Sequence, residues 1–220
     1  MRLLERELGL RTLTTALHKS STGEGRVVLV CGEAGIGKTT LIRYFVDRHS
    51  THVRVRWGGC DALFTPRPFG PLYDMASDIG GDLPELLTLE DKRSQIFSTV
   101  FDDLQRHITI TVFEDVHWAD EATLDLLVVL CRRITHTNAL LIISYRDDEL
   151  HMRHPLRVLL GSLAGHTAVQ HIALAPLSEH SVRQLIGSLT IDAHALHHLT
   201  GGNPFFVTEV LTNPDGSIPN

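Results

Sequence analysis

Apolar residues fall into two rhythms along this 220-residue chain. Short runs rich in valine, leucine and isoleucine occupy residues 27–31, 108–113 and 140–144. They are too short for helices; 27–31 and 140–144 read as strands covered on both faces, as in a parallel sheet, and 108–113 as a strand from its β-branched residues. Residues 53–55 and 169–174 read as two further strands. Between them the spacing switches to helical. Leu3, Leu10, Leu13 and Leu17 form one stripe over residues 3–18, and helices are predicted over 38–48, about 70–79 and about 92–107. Asp120 is placed to cap a helix carrying Leu124, Leu127, Val128, Cys131 and Ile134. Ser178 caps another carrying Val182, Leu185, Ile186 and Leu189. Prolines 66, 68 and 71 mark 58–70 as a loop, and short helical segments follow Ile191.

Strands that alternate with helices predict an α/β fold with a mainly parallel sheet, here of five strands. Residues 1–175 are expected to form the core with its N-terminal helix, 176–211 a lid-like helical extension, and 212–220 a terminal loop.

Composition narrows the function. The formal net charge is −6, which argues against a general nucleic-acid binder, and no direct DNA binding by this segment is expected. No run approaches the roughly 20 apolar residues of a membrane span. The first residues lack the apolar core of a signal peptide. Cys31, Cys60 and Cys131 form neither a disulfide framework nor a zinc pattern, and a reducing cytoplasm fits them.

The most specific segment is Gly32-Glu33-Ala34-Gly35-Ile36-Gly37-Lys38-Thr39, followed by Thr40. It satisfies G-x-x-x-x-G-K-[ST], with a strand before it and a helix after. Glycines let the backbone turn its N–H groups onto phosphate oxygens, and the helix N-terminus adds its dipole. Lys38 is suited to the β- and γ-phosphates of ATP, and the Thr39 hydroxyl to Mg²⁺. Only three lysines occur among the 20 basic residues, and one sits at the place the loop needs it.

Glu114 and Asp115 end the 108–113 strand, at the ligand-binding edge of a parallel sheet. One carboxylate there can hold Mg²⁺ and the other can orient or deprotonate an attacking water. In the usual order Glu114 serves the metal and Asp115 the water; the residues leave the assignment open.

Four ordered segments now resemble a known group: Gly32 to Thr39, Phe113-Glu114-Asp115-Val116-His117-Trp118-Ala119-Asp120, Ser144-Tyr145-Arg146-Asp147-Asp148-Glu149-Leu150, and Gly201-Gly202-Asn203-Pro204-Phe205-Phe206. Together they resemble the ATP-binding domain of STAND-type signalling NTPases, in particular that of large LuxR-type bacterial transcriptional regulators. The resemblance implies a P-loop NTPase three-layer sandwich. It makes Arg146 a sensor of the γ-phosphate and lays Pro204 against adenine. Where that family usually has Gly-Arg-Glu near the N-terminus, this chain has Glu5-Arg6-Glu7, which weakens the case for Arg6. It also implies a sensor region and a helix-turn-helix, neither of which fits in 220 residues, so a truncated module is expected.

The function that follows is a nucleotide-dependent switch with slow hydrolysis of ATP to ADP and phosphate, and with a protein partner or self-association. Two alternatives stay open: a module that binds ATP without hydrolysing it, and a small-molecule kinase whose acceptor site would lie in 58–90. His117 and Trp118 are read as packing the sheet edge. His194, His197 and His198 are read as solvated or capping residues.

Overall fold

In the computed structural model, which describes residues 3–212, five parallel strands lie in the order β2-β3-β4-β1-β5. They are β1 (Arg26–Cys31), β2 (Arg54–Gly59), β3 (Thr109–Glu114), β4 (Ala139–Tyr145) and β5 (Val169–Ala173). Every residue of central β4 is buried, which explains its unbroken apolar sequence. Successive side chains point to opposite faces. Val28, Val30, Leu140 and Ile142 therefore pack under α1 (Glu7–Ser21) and α2 (Lys38–Asp47). Val27, Leu29, Leu141 and Ile143 pack against α3 (Gly70–Ile79), α4 (Leu83–Leu86), α5 (Arg93–Arg106), α6 (Glu121–Arg133) and α7 (Leu156–Leu163). The result is the three-layer sandwich.

A separate small core joins α8 (Glu179–Ile186), α9 (Ala193–Thr200) and α10 (Pro204–Thr212) through Leu177, Val182, Ile186, Leu196 and Val207. Residues 213–220, read from sequence as most of a terminal loop, lie outside the described residues, and Thr212 itself ends α10.

Several boundaries differ from the sequence reading, each for a physical reason. The first helix begins at Glu7, because Glu5 adopts a left-handed φ of 57° that a helix cannot continue through. Leu3 and Leu4 instead form a strap: Leu3 packs on the α1–α2 side and Leu4 on the small helical core. β2 runs on to Gly59 where a loop was expected. A Cβ on Gly58 would sit 2.3 Å from the Pro71 carbonyl oxygen, so this glycine admits α3 against the strand. α8 stops at Gly187, φ 59°, which leaves Leu189 outside the helix and 51% exposed. The caps read from sequence hold. Asp120 accepts from the Thr123 N–H at 2.9 Å and Ser178 from the Ser181 N–H at 3.3 Å. The helix at Leu156, unread in the sequence, buries Leu156, Leu159 and Leu163 at i, i+3 and i+7.

Candidate functional site: a phosphate loop beneath a helical unit

The carboxyl ends of β1, β3 and β4 lie side by side, so the loops that follow them share one edge. After β1 the chain makes a glycine turn with φ of 144° at Gly32, 74° at Gly35 and 97° at Gly37, then enters α2 at Lys38. The first-turn N–H groups of α2 have no partner within the helix and face the open edge. Lys38 is buried, and its ammonium donates to the Gly32 and Glu33 carbonyls at 2.6 and 2.9 Å. Burial pulls its pKa below the usual lysine value.

β3 delivers the acidic pair. Glu114 accepts a short hydrogen bond from the Thr39 hydroxyl through Oε1 and one from the Trp57 indole N–H at 2.8 Å through Oε2. Asp115 takes a left-handed φ of 54°, and its N–H donates to Ser144 Oγ at 3.0 Å. That strained turn aims the two adjacent carboxylates differently. Burial, and then the Glu114 charge, raise the Asp115 carboxyl above its ordinary range.

Arg146 follows β4 directly. It is held by Glu149 Oε1 at 2.5 Å and lies 4.8 Å over the Trp118 ring. Its ion partner is thus neither neighbouring aspartate but the glutamate three residues on. Behind this pair the His117 ring is fully buried, with Nε2 3.6 Å from Glu149 and Nδ1 4.0 Å from Asp115. Burial pushes its pKa down to about 4, so it is a neutral ring at neutral pH. Trp118, expected only to pack the edge, also forms the platform for Arg146.

Of these groups, Lys38, Thr39, Asp115 and Arg146 line one cavity of about 380 Å³, while Glu114, His117 and Trp118 stand behind its wall. Its polar end carries Lys38, Thr39, Asp115 and Arg146, and its apolar end is closed by Leu4, Leu177, Leu185, Pro204 and Phe205. The strap and the helical unit therefore form the apolar half, opposite the phosphate loop. The residues of the AAA ATPase domain family match this chain over positions 2–143. The chain belongs to that family.

Among curated proteins, none matches this AAA domain. Solved structures share its fold. A STAND protein with a tetratricopeptide-repeat sensor from Pyrococcus horikoshii aligns with a TM-score of 0.54 and 21% identity, over 94% of this chain and 30% of its own. Cdc6p from Pyrobaculum aerophilum aligns with a TM-score of 0.59 and 16% identity, over 84% and 49%. The replication initiator DnaA, solved with AMPPCP and single-stranded DNA, gives 0.57 and 11%, over 96% and 62%. The AAA domain thus spans about a third to three-fifths of these relatives.

Arg6 is the residue that sequence reasoning undervalued. It is buried, lines the cavity, and donates to the Ile36 and Ala175 carbonyls at 3.1 and 3.0 Å. The signal was Glu5, read as a departure. Its carboxylate receives the N–H and hydroxyl of Ser178 and the Ser181 hydroxyl, so it fixes the strap to α8 and sets Arg6 in place.

Elsewhere, residues 59–74 and Trp118 border a second cavity of about 240 Å³, whose one lining arginine, Arg67, lies 3.3 Å over the Tyr73 ring. His194 pairs with Glu179 at 3.0 Å and His197 with the Leu177 carbonyl at 3.0 Å. No helix among the described residues is long and apolar enough to cross a membrane.

Proposed function

We propose that this AAA domain binds ATP with Mg²⁺ and acts as a nucleotide-dependent switch within a signalling regulator of the STAND type. The observation that carries the reading is the convergence of Lys38, Thr39, Asp115 and Arg146 at one end of a cavity whose other end holds Pro204.

The roles follow from geometry and chemistry. N–H groups of residues 32–40 cradle the phosphates, and Lys38 neutralises the β- and γ-phosphates. A hydroxyl and a carboxylate oxygen already in contact, Thr39 and Glu114, are the hard oxygen donors that Mg²⁺ prefers, so the residues fit the metal. Bound there, the metal would neutralise charge on the phosphates. Asp115 orients or deprotonates the attacking water; burial and the Glu114 charge raise its pKa, which makes it the stronger proton acceptor. Arg146 exchanges Glu149 for the γ-phosphate and so reports whether it is present. Pro204 and the strap enclose the adenine in the apolar end. Residues 1–175 act as the core and 176–211 as the lid. Hydrolysis is slow, and release of the γ-phosphate frees the lid to change its contacts with a protein partner or a second copy. Descent from a LuxR-type transcriptional regulator is supported by the four ordered segments quoted above. The short span relative to the STAND protein fits a module of a larger chain.

A titration with a fluorescent ATP analogue and Mg²⁺, beside Lys38→Ala, tests the reading. Saturable binding that the variant loses upholds it. A folded wild-type chain that binds nothing overturns it.

A further inference from the structure

A loop that turns its N–H groups inward onto phosphate must turn carbonyls outward. Three successive outward carbonyls of this loop are taken by donors from the N-terminal strap and the start of α10. Ala34 O accepts from Asn203 Nδ2 at 2.8 Å, Gly35 O from the Phe205 N–H at 3.3 Å, and Ile36 O from Arg6 Nη2 at 3.1 Å. Two of the three donors belong to the start of α10. Asn203 is buried and uses both ends of its amide. The nitrogen meets the loop, and Oδ1 accepts the Phe205 N–H at 3.1 Å, which caps α10.

The approach is close enough to dictate a glycine. The phosphate-loop pattern leaves position 35 free, yet a Cβ on Gly35 would lie 2.7 Å from Phe205 Cβ and 2.9 Å from Asn203 Oδ1. On its other side Asn203 joins a stiff turn. Gly202 O accepts from the Leu177 N–H at 2.8 Å, and a Cβ on Gly202 would meet Leu177 O at 2.3 Å. A rotation of the peptides at 34–36 therefore bears on the helical unit through the Asn203 side chain and the Phe205 N–H that it caps.

We propose that Asn203 is the positioning residue that couples the phosphate loop to the helical unit, so that ordering the loop on phosphate docks α9 and α10. The coupling rests on nucleotide binding at this loop, as proposed above. Phosphate fixes the peptide planes of the loop, the Ala34 carbonyl holds the Asn203 amide, and α10 is held with it. Asn203 acts through this tether and touches no reacting atom.

Asn203→Asp and Asn203→Ser separate the tether from the cap. Both residues are good N-caps, and neither presents a donor that reaches Ala34 O from the capping geometry. Hydrogen exchange is measured on wild type and both variants, with and without ATP and Mg²⁺, on peptides covering 32–40 and 193–212. In wild type, nucleotide should protect both regions. In the variants it should still protect 32–40, with affinity reduced about two- to tenfold, while the added protection of 193–212 disappears. Equal nucleotide-dependent protection of 193–212 in wild type and in both variants overturns the coupling. So does a wild type in which 32–40 responds and 193–212 does not. Absence of any protection at 32–40 in the folded wild type instead overturns nucleotide binding, and the coupling falls with it.

Discussion

The Thr39 hydroxyl donates to Glu114 Oε1, tying the first turn of α2 to the last residue of β3 across the sheet edge. Glu114 is further fixed by the Trp57 indole at 2.8 Å. The pair proposed as Mg²⁺ donors is thus held by groups on three elements. Glu114→Gln keeps the shape and removes the charge. It should raise the Mg²⁺ concentration needed for half-maximal ATP binding by about tenfold or more. Mg²⁺ titrations at fixed ATP read this directly, and an unchanged midpoint would assign the metal to other donors.

Arg146 is engaged by Glu149 at 2.5 Å, so in the proposed switch a γ-phosphate competes with a carboxylate for it. Burial pushes the Glu149 carboxyl up, but the hydrogen bond and charge of Arg146 outweigh it and hold the pKa below 4.5. A depressed carboxylate keeps its pair above the unfolded value and loses it as pH falls through the folded one. The competition therefore operates throughout the neutral range. Glu149→Gln should strengthen ATP binding a few-fold relative to ADP, and Arg146→Ala should bring the two affinities together. Calorimetric titration of both nucleotides into each variant checks the sign.

Glu5 carries the cost of a left-handed φ of 57° and offsets it by accepting from Ser178 and Ser181 at the start of α8. Glu5→Ala keeps the strain and loses the hydrogen bonds, at about 1–2 kcal/mol. Glu5→Gly loses the same bonds but relieves the strain, so it should be destabilised less than the alanine variant, by up to about 1 kcal/mol. Thermal melts of the two variants beside wild type give the order; the reverse order would remove the left-handed strain at residue 5, and wild-type stability in both would remove Glu5 from the strap's support.

On the edge strand β2, Arg56 is 1% exposed and donates to Asp103 of α5 at 2.8 Å. Asp103→Asn leaves a buried guanidinium without its counter-charge, at about 3–5 kcal/mol. The paired replacement Arg56→Met with Asp103→Leu removes both charges and should recover most of that loss. Urea unfolding, with the m-value as a check on the denatured state, measures both.

The strands, most helices and two helix caps were legible because they are local. A run such as Leu140 to Ser144 has one stable use in a chain of this composition, and Asp120 or Ser178 caps a helix through atoms three residues away. Gly58 misread as loop because its glycine answers to Pro71, thirteen residues on. The same cause hid Arg6. The substitution at Glu5 looked like a loss until Ser178 and Ser181 supplied its partners from the far end of the chain.

Sequence alone determined the α/β alternation, the phosphate loop and the acidic strand end, since periodicity and motif spacing are properties of neighbouring residues. Only the tertiary structure decided that Thr39 meets Glu114, that Arg146 is held by Glu149 above Trp118, and that Asn203 and Arg6 grip the outer face of the loop. These contacts join segments brought together by strand order and helix packing. Side-chain reach over a few ångströms then selects among partners that the linear chain leaves equally available.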